Sequence, residues 1–378
     1  MMAARRPVVE AALTAVAARV PGLTVRRCTA VSALLTGRER VPGRPHVAGV
    51  LTRGGDVVHA DLVVDAGGRN SPVGRMLRDL GAPGPVEERT EAGFLACTRY
   101  FRSADGRLPN WPVWRVAHYD TVSTVAIEGD AGTWAVSLGV SGGDRALRAL
   151  REPGAWHRTV ALFPDIAHLA EEGEPMSGIM AMSGMETRHR QFVIDGLPVA
   201  TGLLSIGDAW ATTNPLFGLG MSMSALHATL LRDLLRTEGT GDPEKLALRF
   251  DEITRASLSP MQRGLAEWDR HRLAEIDAAI RDVPAPYETE DRDWHFKRAP
   301  DTAKLRDPGL AARLRGHRHA AGHRRGDVHR SRPGGKRRRT RPQGTALLRS
   351  GPLPRRTPDR DRGYGRMSLP ALGWRFLS

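Results

Sequence analysis

Two short stretches hold the residue types best suited to chemistry. One is Asp61–Ser71, reading DLVVDAGGRNS; the other is Leu204–Gly220, reading LSIGDAWATTNPLFGLG. Each opens with an apolar run and ends in glycine beside a carboxylate, Asp65 with Gly67 and Gly68 in the first, Asp208 with Gly207 in the second. A run apolar on both faces suits a buried parallel strand, and in open α/β sheets ligands sit beyond the carboxyl ends of such strands. An aspartate there can accept hydrogen bonds from ligand hydroxyls, and glycines let backbone N–H groups come close to a flat ring. A helix beginning near Gly220 would turn the positive end of its dipole toward bound negative charge. The alternatives are plain: Asp208 as a helix cap, Gly218 and Gly220 as a simple turn, and Asp65, which we read as the structural one of the two acids, capping its own loop.

The elements that must position these residues follow from periodicity. Val9, Leu13, Val16 and Val20 mark one face of a helix from Pro7 to Val20, stopped by Pro21-Gly22. Strands are predicted at Thr24–Cys28 and Ala30–Leu35, and a hairpin over Val47–His59 turning at Arg53–Asp56. Gly93–Arg102, Thr121–Glu128 and Thr133–Gly139, rich in Thr, Val and aromatics, suit a separate sheet. Tyr100, Phe101, Tyr119 and Trp134 read as its core, with the lining of a substrate pocket as the alternative, and Cys28 and Cys97 as buried thiols. Arg145–Arg151 and Trp156–Phe163 look helical. After Gly220 a long helix is expected to bury Met223, Leu226, Leu230 and Leu234, and Asp242-Pro243 opens a helical region to about Arg281.

Gly207-Asp208-Ala209 followed by Pro215 and Gly218-Leu219-Gly220 resembles the second FAD-binding motif of the para-hydroxybenzoate hydroxylase-like flavoprotein monooxygenases. The resemblance implies that Asp208 holds the ribityl chain, that the backbone of Gly218, Leu219 and Gly220 lies against the isoalloxazine edge, and that Pro215 shapes that turn. Arg6, leading a helix with Val9, Glu10 and Leu13, is similar to the family helix whose first arginine reaches FAD, with simple pairing to Glu10 as the alternative, and Val31 stands where a backbone contact to the adenosine part is implied. Asp61–Gly68 looks like a further family stretch that usually ends Ala-Asp-Gly; Gly67 replaces the acid here. Family members open with a strand, a Gly-x-Gly-x-x-Gly turn and a helix, and the sequence contains no such motif. The expectation is therefore an N-terminally truncated chain: an α/β fold with an incomplete Rossmann-like FAD/NAD(P)-binding domain, an inserted β-sheet substrate domain and C-terminal helices. Its divisions are a partial FAD-binding domain (1–85), the substrate sheet (86–185), the returning FAD segment (186–240), a helical region (241–308) and a disordered basic tail (309–378). FAD is the implied cofactor, NAD(P)H the electron donor, and an apolar or aromatic small molecule the substrate. Three readings stay open: an NAD(P)H-using monooxygenase, a flavin-dependent reductase, and an inactive truncated or frameshifted remnant. No catalytic residue is assigned, because in such enzymes the flavin carries the chemistry while the protein positions and desolvates it.

Composition narrows the rest. The net charge is +14, yet Ala311–Ser378 alone holds 19 basic and three acidic residues, leaving 37 basic against 39 acidic in the body. A nucleic-acid partner is therefore not expected of the body. The tail, with 18 Arg, one Lys and no Glu, cannot bury a core. No apolar run reaches a membrane span, and two isolated cysteines form no disulfide framework or zinc site, so a cytoplasmic location is expected.

Overall fold

In the computed structural model the two apolar runs lie side by side. Val63–Asp65 pairs in parallel with Leu203–Ser205, placing Asp65 opposite Ser205. The structure describes residues 4–90, 93–111, 115–281, 287–306 and 375–376. The chain divides into one unit of Met1–Ala311 with Gly373–Ser378 and a second of Ala312–Leu372. The second unit lies outside the described residues, and so does the expectation of a disordered tail, except at Arg375–Phe376, which pairs in parallel with Thr24–Val25.

Parallel strands need a long crossover between them, and the middle of the chain supplies it as a separate antiparallel sheet. Its strands run Glu174–Pro175, Phe94–Arg102, Thr133–Ser141, Val122–Glu128 and Val116–His118 in spatial order, with Met180–Met182 also paired to Phe94–Arg102. Leu95, Cys97, Phe101, Val136 and Leu138 bury one face of this sheet against Trp156, Val160, Ile166 and Leu169. Those four residues come from the helices Pro153–Val160 and Pro164–Glu171. The buried indoles keep their donors satisfied: Trp134 Nε1–H donates to the Leu169 carbonyl and Trp156 Nε1–H to that of Cys97, both at 2.9 Å.

Around the parallel pair, Val31–Val41, Arg44–Thr52 and Val57–His59 form an antiparallel meander whose core includes Leu34, Val47, Val50 and Val58. The helix Gly220–Glu238 packs Leu231, Leu234 and Leu235 with Leu204 and Ile206 and with Leu246 and Phe250 of the helix Pro243–Ser257. Asp242 caps that last helix, accepting from Lys245 N–H at 3.0 Å. Helices Ser259–Ile280 and Arg292–Arg306 follow. The fold is thus mixed α/β, with a Rossmann-like parallel pair, an inserted sheet and C-terminal helices.

Four expectations are corrected. The first helix, Arg6–Ala17, buries none of its residues, and its predicted inner face is exposed at Leu13 and Val16; no described element covers it. Cys28 is exposed, on a turn with φ 56°, whereas Cys97 is buried as expected. Tyr100 is exposed because strand side chains alternate, so it faces away from buried Phe101. The helix after Gly220 buries Met223, His227, Leu231, Leu234 and Leu235, while Leu226 is exposed. Its inner stripe runs through a histidine that polarity alone assigns to the outer face.

Candidate functional site

Gly207, Asp208 and Ala209 form a single 3₁₀ turn directly after the strand Leu203–Ser205. Gly207 adopts φ 59°, the left-handed region, and a Cβ there would lie 2.9 Å from Ser224 Oγ on the following helix. Only glycine lets strand and helix approach this closely. The turn is fastened from two sides. Buried Arg190 donates to the Ala209 carbonyl at 2.9 Å, and the Gly207 N–H donates to His227 Nδ1 at 3.2 Å. His227 is itself fully buried, with its ring parallel to Phe250 at 4.9 Å and edge-on to Trp210 at 5.0 Å. Burial lowers its pKa to about 4, so the ring is neutral near pH 7. Because Nδ1 accepts from Gly207, Nε2 carries the proton and donates to Thr254 Oγ1 at 3.1 Å.

The turn carries Asp208 to the surface, where its carboxylate has no hydrogen-bond partner among the described residues. Surrounding protein partly desolvates it and raises its pKa, while Arg69 and Arg6 pull in the opposite direction. Arg6 therefore lies within electrostatic reach of Asp208, although its hydrogen bond is with Glu10 at 2.6 Å on its own helix. Arg69 is tethered by donation to the Glu186 carbonyl at 2.8 Å.

Asp208 lines a shallow cleft, open to solvent, with Gly207, Thr213, Gly220, Ser224 and His227. The floor is the N-terminus of the helix Gly220–Glu238, whose N-cap Leu219 provides no side-chain cap. Its first N–H groups thus look outward with the positive end of the helix dipole. Gly218, in the left-handed region at φ 63°, and Gly220 have no atom within 4 Å of where a Cβ would stand. The approach to that helix end is open.

Between Asp208 and Gly220 the chain makes a second 3₁₀ turn, Pro215–Phe217, capped by Asn214, whose Oδ1 accepts from Leu216 N–H at 3.0 Å. The structure thus brings Asp208 and Gly220 to one cleft, sets Pro215, Gly218 and Leu219 on the turn between them, and places Arg6 nearby. Val31 opens a strand of the meander, packs against its core, and does not line the cleft.

Asp65, at the tip of the neighbouring strand, turns inward. Its Oδ1 accepts from Gly67 N–H at 2.9 Å, and its Oδ2 from Ser71 Oγ at 2.7 Å and Ser205 Oγ at 3.1 Å. A Cβ on Gly67 would sit 3.0 Å from Asp65 Oδ1, so glycine suits the tight loop that Asp65 closes.

Sequence reasoning did not single out Arg69, Arg190, His227 or Asp269. A signal existed for His227, which lies four residues from both Met223 and Leu231 on one helix face. For the others, long-range packing decides, and no local pattern marks it.

No family model matches the chain. Protein Rv3254 of Mycobacterium tuberculosis is 27% identical over 216 residues, covering 54% of this chain and 43% of the relative. The chain therefore spans less than half the length of that relative. The solved structure of the flavin-dependent brominase Bmp2 aligns with a TM-score of 0.50 at 14% identity, covering 74% of this chain and 71% of the brominase. PqsL of Pseudomonas aeruginosa, described as a probable FAD-dependent monooxygenase, aligns with a TM-score of 0.48 at 17% identity, over 68% of this chain and 67% of PqsL. The likeness to Bmp2 shows a shared fold. Among the described residues no helix is long and apolar enough to cross a membrane, and no group of His, Cys, Asp and Glu has the arrangement of a metal site.

Proposed function

We propose that this chain belongs to a FAD-dependent oxidoreductase and grips the ring and ribityl part of the flavin in the Asp208 cleft. One observation carries the reading: an unpartnered carboxylate and an uncapped helix N-terminus line the same glycine-bordered cleft. A structural capping role for Asp208 would give it a backbone N–H partner, and it has none among the described residues. The residues fit the group by chemistry as well. The Asp208 carboxylate accepts from ribityl hydroxyls, and the backbone N–H groups of Leu219 and Gly220 meet the negative N1–C2=O edge, while Gly218, whose N–H donates to the Pro215 carbonyl at 2.9 Å, lets the ring come close. Pro215 and the capped turn hold those donors in place, which lowers the reorganisation needed on binding. Arg6 adds positive charge toward the phosphate side, and Val31 is assigned a backbone contact to the adenosine part. The fold shared with a brominase that is flavin-dependent by name agrees with this assignment.

The reaction we infer is NAD(P)H-dependent monooxygenation of an apolar or aromatic small molecule. FAD, when bound, supplies hydride acceptance and oxygen activation; the chain's own residues bind, orient and exclude water. The middle sheet offers a matching surface. On its face away from the Trp156 core, Tyr100, Ile127, Met180 and Met182 are exposed apolar side chains, and Thr98 Oγ1 donates to Ser137 Oγ at 2.8 Å in the same region. The turn residue Leu216 reaches this sheet, lying 3.1 Å from a Cβ position at Gly139, so the flavin-edge turn and the substrate face adjoin.

The test is flavin titration of the purified chain, with FMN and FAD run in parallel and binding read by fluorescence quenching. Both are expected to bind, and Asp208→Ala is expected to weaken each by about 10- to 100-fold, the worth of hydrogen bonds to a charged group. Absence of binding, or equal binding by Asp208→Ala, would overturn the assignment.

A further inference from the structure

The turn that carries Pro215, Gly218 and Gly220 is held from outside its own segment. Asn214 is fully buried, and its Nδ2 donates to Asp269 Oδ1 at 2.8 Å. Its Oδ1 meanwhile accepts from Leu216 N–H. The two partners together fix the amide orientation, since a carboxylate demands the NH₂ side and a backbone N–H the oxygen. Asp269, also fully buried, sits on the helix Ser259–Ile280 and takes a second donation, from Thr187 Oγ1 at 3.2 Å. The same helix grips the turn at two further points. Trp268 meets Phe217 edge-on with ring centroids 5.0 Å apart, and Leu273 and Leu216 join one apolar cluster with Phe94 and Ala96.

A buried carboxylate is costly unless it is engaged. Asp269 forms no ion pair within the described residues; its described partners are an amide and a hydroxyl. An apolar residue would pack at this site at lower cost, so the carboxylate is retained for what it holds. We infer that Asp269 is a positioning residue of the flavin site: acting through the Asn214 side chain, it sets the turn whose N–H groups face the ring. The inference rests on the flavin reading for its purpose but not for its geometry. The C-terminal helix thereby contributes to the site without touching its ligand.

The experiment compares the full chain with Asp269→Leu, Asn214→Asp, and the exchanged pair Asn214→Asp/Asp269→Asn. The exchanged pair restores one donor and one acceptor with their direction reversed, and its residue 214 still offers an oxygen to Leu216 N–H. Backbone hydrogen exchange is measured on the unliganded chain, followed by FMN binding and the visible absorption of the bound flavin. Asp269→Leu and Asn214→Asp are each expected to speed exchange in 213–220 by about tenfold over segments of the middle sheet and to weaken FMN by a similar factor. The exchanged pair is expected to recover most of both and to return the flavin absorption to its wild-type position. Exchange in 213–220 that is unaltered, or accelerated equally everywhere, overturns the inference. So does an exchanged pair no better than its single variants, a comparison that holds even if Asp269→Leu does not fold. If no form binds FMN, the exchange data still decide the positioning role, and only the flavin reading falls.

Discussion

The Gly207 N–H donates to Nδ1 of His227 at 3.2 Å, so a neutral imidazole holds the turn that carries Asp208. Replacing that ring by an apolar one of similar shape keeps the packing on Phe250 and Trp210 but takes the partner from the half-buried Gly207 N–H and from the buried Thr254 hydroxyl. His227→Phe is expected to cost about 1–3 kcal/mol of unfolding free energy. His227→Asn, whose amide oxygen can take the place of Nδ1, is expected to cost less. Urea unfolding midpoints check this; a Phe variant as stable as the parent would show that the bond contributes nothing.

His227 and Asp269 make opposite demands on pH. Burial lowers the His227 pKa from 6.5 to about 4, so its contribution is complete above pH 6.5 and is lost as pH falls toward 4. Burial raises the Asp269 pKa from 3.8 to about 6, with Asn214 and Thr187 opposing. Its contribution is therefore complete below 3.8 and is lost as pH rises through 6. Each swing is about 3 kcal/mol, and between pH 4 and 6 the two slopes oppose. The difference in stability between the parent and each variant isolates one group. Relative to the parent, Asp269→Asn is expected to lose ground on acidification, and His227→Asn to gain it. Parallel pH profiles for parent and variants would contradict both assignments.

The two aspartates at the strand tips separate by role. Asp65 satisfies Gly67, Ser71 and Ser205 at once, so Asp65→Ala is expected to cost about 2–4 kcal/mol. Asp208 satisfies no described residue and is partly desolvated, so Asp208→Asn is expected to stay within about 0.5 kcal/mol of the parent. It is expected to weaken FMN nonetheless. Thermal denaturation without ligand reads the first property and flavin titration the second. A large stability loss in Asp208→Asn would return that residue to a structural role.

Physical locality explains what the sequence disclosed. Val63–Asp65 and Leu203–Ser205 are legible as buried parallel strands because each is apolar on both faces and ends in glycine. The Arg53–Asp56 hairpin turn and the Asp242 cap are equally local. What remained hidden depends on distant packing. Asn214 and Asp269 meet across 55 positions, and Arg190 reaches the Ala209 carbonyl only because separate elements adjoin. Alternation shows which strand residues share a face, but it leaves open which face receives the helices, so Tyr100 and Phe101 could not be told apart. The inner stripe of the helix after Gly220 was displaced by His227, whose neutral ring packs as an aromatic.

Gly207 itself gives the sharpest test of the turn, because two costs coincide there and can be divided. An alanine must adopt φ near 59°, which costs about 1 kcal/mol for a residue with a Cβ. It must also stand 2.9 Å from Ser224 Oγ, a contact absent from ordinary packing. Gly207→Ala is therefore expected to cost about 2–3 kcal/mol. Adding Ser224→Ala removes the hydroxyl and is expected to recover about 1 kcal/mol, leaving the conformational part in place. FMN binding should remain weakened in the double variant, because the turn that aims Asp208 is still strained. Full recovery of stability by Ser224→Ala would mean that the left-handed conformation costs nothing here. Recovery of neither property would mean that strand and helix adjust freely, and that the close approach at Gly207 does not position Asp208.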